Sequence, residues 1–144
     1  MNNTQHLLLV DDDEDDRYFM QLTFRELKWS HRLKLVESAQ SMLSYLTHLV
    51  SASAYPSLIL LDYNMPKMNG EEALKLLKGD NRFKSIPVVL YSTAMTETLR
   101  SRLIALGAAA CYQKSITITQ SKRLAQSLKT IIEEKERQQH SFFL

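Results

Sequence analysis

Five polar residues stand at the ends of short, mainly apolar runs of the kind that form buried strands. They are three carboxylates, a hydroxyl and an amine: Asp11, Asp12, Asp62, Ser92 and Lys114. In an open parallel sheet, ligands bind beyond the carboxyl ends of the strands, so we expect these side chains to converge on one pocket. Three carboxylates in a partly buried pocket do not all stay ionised unaided, and a hard divalent cation such as Mg²⁺ resolves that conflict.

The amine and the hydroxyl complete a site for a phosphoryl group. With a cation held by the carboxylates, Lys114 and Ser92 are free to bind phosphoryl oxygens. A carboxylate that faces them can act as a nucleophile toward phosphorus and form an acyl phosphate. The residue types therefore predict phosphoryl chemistry at a magnesium site.

Strands and helices alternate along the chain in the hydrophobic pattern. Apolar runs that are typical of strands buried on both faces of a sheet predict strands over residues 7–10, 31–36, 58–61, 88–91 and 109–113. The helical spacing of apolar residues between and after these runs predicts five helices. The fold class predicted is α/β, with a doubly wound five-stranded parallel sheet.

Local signals mark several helix boundaries. Ser38 predicts an N-cap for the second helix, whose inward-facing residues are expected to continue to Val50. Gly79 and Gly107 predict the ends of the third and fourth helices. The fifth helix runs into a charged, polar tail. The predicted organisation is therefore a single domain over 1–144, with its core at about 5–135 and a frayed tail at 138–144.

The composition is that of one ordinary globular domain. The 144 residues are 44% hydrophobic and 24% charged, with a formal net charge of +2. Acids are consecutive at residues 11–16, whereas the bases are scattered singly and do not form a patch interleaved with aromatic residues, which argues against a nucleic-acid groove. A single cysteine, Cys111, excludes an intrachain disulfide and a Cys₂His₂ or Cys₄ zinc site. With no bilayer-spanning apolar run and no secretory signal, we expect a cytoplasmic protein without a membrane partner.

The residues at the strand ends resemble the receiver domain of two-component response regulators. The acidic pair Asp11 and Asp12 follows the first strand, and the segment DYNMPKMNG, which begins at Asp62, is similar to the phosphoacceptor motif of that family. Ser92 and Lys114 stand at separations from Asp62 that are typical of receivers. The resemblance covers about residues 5–135 and implies the flavodoxin-like receiver fold, in a stand-alone, single-domain type.

The resemblance implies a role for each matching position. Asp62 is expected to accept a phosphoryl group from a kinase phosphohistidine. Asp11 and Asp12 are expected to hold Mg²⁺ together with Asp62 and the backbone carbonyl of Asn64. Lys114 is expected to pair with the phosphoryl oxygens.

The implied function is that of a signalling domain, not an enzyme, although such a domain promotes its own phosphotransfer and dephosphorylation. The implied partners are a sensor histidine kinase or a phosphotransfer protein, and a downstream target protein. Because no DNA-binding domain is expected, the signal would pass through a phosphorylation-dependent interaction surface. The expected state is a monomer or a weak homodimer.

Three features bear on the switch and on the lysine. The switch hydroxyl is assigned to Ser92, and the adjacent Thr93 offers a second hydroxyl to the phosphoryl group. Cys111 stands where receivers commonly have a switch aromatic residue, so an aromatic rotation is not expected. Ser115 follows Lys114 where the family usually has proline. Two outcomes are open: a trans bond with a loop re-routed to keep the ammonium near Asp62, or a cis bond, which before serine costs about 2.5–4 kcal/mol. Because the lysine must be aimed into the pocket, the cis peptide is the one predicted.

Two other classes fit parts of the sequence. A phosphorylation-independent pseudo-receiver would act only as a binding module, but that class usually loses an acidic residue or the lysine, and all are present here. A phosphatase of the haloacid dehalogenase type would use Asp11 and Asp13, but its motif requires threonine at position 15, where this chain has aspartate. The acids at positions 14–16 are interpreted as a helix start, which acidic side chains favour.

Overall fold

Strands and helices alternate in the computed structural model, which describes residues 6–29, 32–115 and 117–142, with side chains described up to residue 138. Within these residues the strands are β1 His6–Val10, β2 Arg32–Val36, β3 Leu58–Asp62, β4 Val88–Ser92 and β5 Ala110–Gln113. The α-helices are α1 Glu14–Leu27, α2 Ala39–Thr47, α3 Gly70–Lys78, α4 Glu97–Ala105 and α5 Ile118–Phe142. The predicted α/β alternation is confirmed.

The strands pair in parallel in one sheet with the order β2-β1-β3-β4-β5. From β1 the chain adds β2 on one side and then β3, β4 and β5 on the other, so the topological switch point lies between β1 and β3. Val10 is the register partner of Leu61 across that boundary. Asp11 and Asp62, each one residue further on, therefore lie side by side at the carboxyl edge of a doubly wound sheet, as predicted.

The apolar side chains of the sheet divide between two helical layers. One face packs against α2, α3 and α4, and the other packs against α1 and α5. The strands β1, β3 and β4 are buried at every position, which is expected of strands covered on both faces. The ends of these strands are consequently held firmly by the core.

Polar caps fix where the helices begin at the carboxyl edge. The Asp13 side chain accepts a hydrogen bond from the Asp16 N–H and starts α1 directly after the acidic pair. Ser38 caps α2, as predicted. Asn69 and Glu72 form a reciprocal capping box at the start of α3. These caps leave short, ordered loops between the strand ends and the helices.

Two helix ends differ from the predictions. Helix α2 ends at Thr47, and Val50, predicted to face inward, is 98% exposed because the helical phase no longer applies beyond the helix end. Helix α5 continues to Phe142, into the tail predicted to fray. Residues 133–138 of this helix are good helix formers, and an ion pair between Arg137 and Glu134 supports the helix on its solvent side. His31, the predicted start of the second strand, lies outside the described residues.

Candidate functional site

Three carboxylates meet at the topological switch point. Asp11 directly follows β1 and Asp62 is the last residue of β3, and both are essentially inaccessible to solvent. Asp12 is exposed, and one oxygen from each of the three carboxylates lies within 4.8 Å of the others. The structure therefore brings together the three carboxylates predicted to bind a metal.

Lys114 reaches this cluster from the residue after β5. Its Nζ lies 3.1 Å from Asp11 Oδ2 and 3.3 Å from Asp62 Oδ2. The same ammonium lies 2.8 Å from Asp16 Oδ2. The Lys114 backbone N–H donates to the Ser92 carbonyl at 2.8 Å, so the side chain starts from a point fixed by the sheet.

The peptide bond between Lys114 and Ser115 is trans, so the predicted cis bond is wrong. Without proline, the trans form is favoured by about 2.5–4 kcal/mol. The long lysine side chain still brings the ammonium to Asp62 from a trans backbone. A proline is therefore not needed here to aim the lysine into the pocket.

Burial makes the negative charge of Asp62 unfavourable. Desolvation, and then the charge of Asp11, raise the pKa of Asp62 to about 8 despite the attraction of Lys114. Burial alone would lower the pKa of Lys114, but the hydrogen bond to Asp16 and the charges of Asp11 and Asp62 outweigh it and raise that pKa. Lys114 stays protonated at neutral pH, and the pocket holds more acidic groups than one ammonium neutralises.

The donor set fits a hard divalent cation. Asp62 Oδ2 is buried and accepts no hydrogen bond. Asp11 Oδ1 accepts from the Asp13 N–H at 2.9 Å, and Asp62 Oδ1 accepts from the Asn64 N–H at 3.1 Å, so both carboxylates are oriented by backbone groups. Carboxylate oxygens, completed by water and phosphate, are the ligands that Mg²⁺ takes in proteins.

Ser92 and Asn64 are joined at the rim of the pocket. Ser92 Oγ donates to Asn64 Oδ1 at 2.8 Å and accepts from the Ala94 N–H at 3.1 Å. Ser92 is buried, whereas Thr93 is exposed. Of the two hydroxyls predicted to serve the phosphoryl group, the one on Ser92 is thus held beside the loop that follows Asp62.

The loop after Asp62 packs tightly on its own start. The Gly70 N–H donates to the Tyr63 carbonyl at 2.9 Å. A Cβ atom on Gly70 would lie 2.7 Å from Tyr63 Cα and 2.8 Å from the Asp62 carbonyl oxygen, closer than real Cβ atoms approach. Only glycine fits at this position, and its close approach keeps α3 against the strand end that carries Asp62.

Cys111 lies in the core beneath α4, and burial raises the pKa of its thiol. The side chain of Gln113, and not that of Cys111, connects β5 to the loop at residues 93–96, which follows Ser92. Gln113 donates from Nε2 to the Thr93 carbonyl and accepts at Oε1 from the Met95 N–H at 3.1 Å. A buried cysteine therefore occupies the position where receivers commonly have an aromatic residue. The loop after Ser92 is held by Gln113 instead.

The contacts of two pocket residues, Tyr91 and Asp16, are absent from the sequence-based predictions. The Tyr91 hydroxyl donates to Asp11 Oδ2, and Lys114 Nζ lies 4.9 Å from the centre of the Tyr91 ring. Burial and the charge of Asp11 raise the pKa of Tyr91, so its hydroxyl keeps its proton. Asp16, interpreted only as part of a helix start, contacts Lys114. The sequence shows a tyrosine near a strand end and an acid one helical turn beyond the acidic pair, but neither feature indicates which residue it contacts.

Comparison with known proteins identifies the family. Residues 7–134 match the model of the response regulator receiver domain. The chain belongs to this family. The receiver is 33% identical over 129 residues to the two-component response regulator ARR6 of Arabidopsis thaliana, a match that covers 85% of this chain and 68% of that protein. It is 31% identical over 87 residues to the chemotaxis protein CheY1 of Helicobacter pylori, covering 60% of this chain and 66% of that protein.

Solved receiver structures share the fold. The Mn²⁺-bound form of response regulator Rcp1 superposes with a TM-score of 0.73 and 28% identity, covering 88% of this chain and 92% of that chain. The phosphorylated cyanobacterial phytochrome response regulator RcpA also gives a TM-score of 0.73, with 30% identity, covering 87% and 91%. The predicted family and flavodoxin-like fold are confirmed, and the chain is a receiver domain of two-component signalling. None of the helices in the described ranges has the length and apolar character needed to cross a bilayer.

Proposed function

We propose that this receiver accepts a phosphoryl group on Asp62 from the phosphohistidine of a sensor histidine kinase or a phosphotransfer protein, with Mg²⁺ bound. The observation that carries the proposal is the contact between Lys114 Nζ and the buried Asp62 Oδ2, 3.3 Å apart, beside two further carboxylates. An ammonium and a cation site next to the nucleophile offset the repulsion between a carboxylate and an anionic phosphoryl group. The metal-bound Rcp1 and the phosphorylated RcpA support the same chemistry here.

In the proposed step, an Asp62 carboxylate oxygen forms a bond to phosphorus while the bond between phosphorus and the donor's histidine nitrogen breaks. The electron pair of the broken bond leaves with the imidazole, which is neutral when its other ring nitrogen carries a proton. Lys114 pairs with the phosphoryl oxygens. Asp11, Asp12, Asp62 and the Asn64 carbonyl would hold Mg²⁺, which neutralises charge on those oxygens. Attack of water on the same phosphorus would later release inorganic phosphate and restore the carboxylate.

The proposed signal begins at Ser92. To donate to a phosphoryl group, the Ser92 hydroxyl must break its hydrogen bond to Asn64 Oδ1. The Ala94 N–H donates to the same hydroxyl, so the backbone at Ala94 would move with it. Gln113 ties this loop to β5. We therefore expect the surface formed by α4, β5 and α5 to change on phosphorylation and to be read by a downstream target protein. Because Cys111 replaces the switch aromatic, the change at this surface should be small.

Mass spectrometry after incubation with acetyl phosphate and Mg²⁺ tests the proposal. We expect one phosphoryl adduct on the wild-type protein and none on Asp62→Asn. Asp15→Asn is the matched control, because it makes the same substitution at an exposed acid of the same acidic run, and it should keep the adduct.

The other outcomes separate the alternative classes. A wild-type protein that gains no adduct from acetyl phosphate or from a phosphorylated histidine donor would favour a phosphorylation-independent binding module. An undiminished adduct on Asp62→Asn would assign the nucleophile to another carboxylate. Asp11 would then be the first candidate, as in an aspartate-nucleophile phosphatase that turns over small phosphate esters.

A further inference from the structure

One side chain of the pocket contacts both the metal-binding carboxylates and the lysine without belonging to either group. Tyr91 lies on β4, one residue before Ser92, and is 3% exposed. Its hydroxyl donates to Asp11 Oδ2. Its ring lies beneath the ammonium of Lys114, with 4.9 Å between Nζ and the ring centre, within the range of a cation–π contact.

The hydrogen bonds of Asp11 show what the Tyr91 hydroxyl adds. Oδ1 accepts from the Asp13 N–H, and Oδ2 accepts from Tyr91 and faces Lys114 at 3.1 Å. A carboxylate oxygen offers about two acceptor sites, so Oδ2 is saturated while Oδ1 keeps one site open. The carboxylate is thus held on both sides and presents Oδ1, directly or through water, to a cation.

We propose that Tyr91 is a positioning residue of the phosphoacceptor site: its hydroxyl orients the Asp11 carboxylate for the divalent cation, and its ring holds the Lys114 ammonium next to Asp62. The inference rests on the proposed function and adds a residue to the machinery of that site. Tyr91 suits this role because its backbone lies in a strand buried on both faces. The hydroxyl position is therefore set by the sheet and not by a loop.

The hydroxyl also matters when the lysine changes partner. In the proposed reaction Lys114 turns to the phosphoryl oxygens, which removes one donor from Asp11 Oδ2. Asp11 has no access to solvent, so a replacement donor from bulk water is not at hand. The Tyr91 hydroxyl keeps that oxygen satisfied in both states, and a buried carboxylate is not left without a partner.

Two variants separate the hydroxyl from the ring. Tyr91→Phe removes the hydroxyl and keeps the ring, and Tyr91→Leu removes both. Tyr112→Phe is the matched control, because Tyr112 is the register partner of Tyr91 on β5. Among the described residues, the hydrogen bonds to Asp11 and Asp62 come from other groups. Mg²⁺ affinity is measured by isothermal titration calorimetry without a phosphodonor. Initial rates with acetyl phosphate over a Mg²⁺ series give the half-saturating concentration and the rate at saturation.

We expect Tyr91→Phe to weaken Mg²⁺ binding about tenfold or more, since tenfold is near the lower end for one hydrogen bond to a charged group, with the saturated rate within about twofold of wild type. Tyr91→Leu should weaken Mg²⁺ binding and also lower the saturated rate about fivefold or more, because the lysine loses its support. Tyr112→Phe should match wild type in both measurements. A general loss of structure would instead lower both quantities in Tyr91→Phe.

The results that overturn the inference are distinct from those that overturn the proposed function. Unchanged or tighter Mg²⁺ binding by Tyr91→Phe, in a protein whose wild type is phosphorylated normally, would refute the role of the hydroxyl alone. A Tyr91→Leu rate at saturating Mg²⁺ equal to that of Tyr91→Phe would refute the role of the ring. A wild type that binds Mg²⁺ but takes no phosphoryl group would refute the proposed function, and one that binds no Mg²⁺ would refute both.

Discussion

Replacing the Asp62 carboxylate by an amide of the same shape should stabilise the metal-free protein at neutral and alkaline pH. The carboxylate is buried, its Oδ2 accepts no hydrogen bond, and the charge of Asp11 lies next to it. Its ionised form is therefore disfavoured in the folded state. Asp62→Asn keeps the size and the acceptor oxygen of the side chain and removes the ionisation.

The sign and the pH window follow from the raised pKa. The carboxyl group of an aspartate in an unfolded chain has a pKa of about 3.9. In the folded protein, desolvation and then Asp11 raise the pKa of Asp62 to about 8. Between about pH 4 and 8 the folded state therefore binds the extra proton, and the free energy of unfolding falls as the pH rises through this window.

The magnitude is bounded by the size of the shift. A difference of roughly four pKa units, at about 1.36 kcal/mol per unit, sets a ceiling of about 5 kcal/mol at pH 8. Relaxation and water penetration reduce such penalties in real proteins, for which an effective dielectric of about 20 describes buried sites better than 4. We therefore expect Asp62→Asn to gain about 2 kcal/mol at pH 8 and little at pH 5. With a typical urea dependence of about 1–3 kcal/mol per molar, that gain moves the midpoint by about 1 M.

Urea unfolding in EDTA at pH 5, 6, 7 and 8 measures the effect. The protein has one tryptophan, Trp29, which stacks on Phe24 near the end of α1 and gives a fluorescence signal for unfolding. Asp15→Asn is the control for a lost surface charge. Added Mg²⁺ at ten times its Kd should stabilise wild type by about 1.4 kcal/mol and the Asp62→Asn variant by less. If wild type and Asp62→Asn show the same pH dependence in EDTA, the buried Asp62 charge is not the cause of the instability.

Three further changes test other parts of the site. Asp12→Ala should weaken Mg²⁺ binding markedly in a calorimetric titration, because it removes a charge and a ligand position, and equal affinity would assign the metal to other residues. Gly70→Ala should destabilise the protein by about 2 kcal/mol or more in the same urea assay, because a Cβ would lie 2.7 Å from Tyr63 Cα. Gln113→Ala should speed amide hydrogen exchange at 93–96, since it releases the bonds to that loop, and unchanged exchange there would show that the loop is held by other contacts.

The main elements and the centre of the site are predictable because strand polarity ties sequence to position. A polar residue that directly follows an apolar run must lie at the carboxyl edge of a parallel sheet, which is how Asp11 and Asp62 are found. The same reasoning reaches Lys114 and Ser92. The cis peptide predicted at Ser115 is wrong, because the family pattern depends on proline and a serine peptide strongly prefers the trans form.

The contacts of Tyr91 and Asp16, unlike the positions of Asp11 and Asp62, are not predictable from the local sequence pattern. A tyrosine inside the run VVLYS is indistinguishable from a core residue until the sheet order places its hydroxyl beside Asp11. Acids in the first turn of a helix are favoured by the helix dipole alone, so the approach of Asp16 to Lys114 depends on where α1 packs relative to β5. Both contacts join segments far apart in the chain. Local patterns therefore predict the residues but not the partners.

The arrangement around Lys114 explains how one ammonium can serve an acidic pocket and still be available to a phosphoryl group. It contacts Asp11, Asp16 and Asp62, whose side chains differ in access to water. Asp16 is 38% exposed and can exchange the ammonium for solvent at little cost, whereas Asp11 cannot. Asp11 keeps the Tyr91 hydroxyl and the Asp13 N–H when the lysine turns. When the lysine moves toward phosphorylated Asp62, Asp16 can bind water and Asp11 keeps its two remaining hydrogen-bond donors. The move therefore leaves no buried carboxylate without a partner.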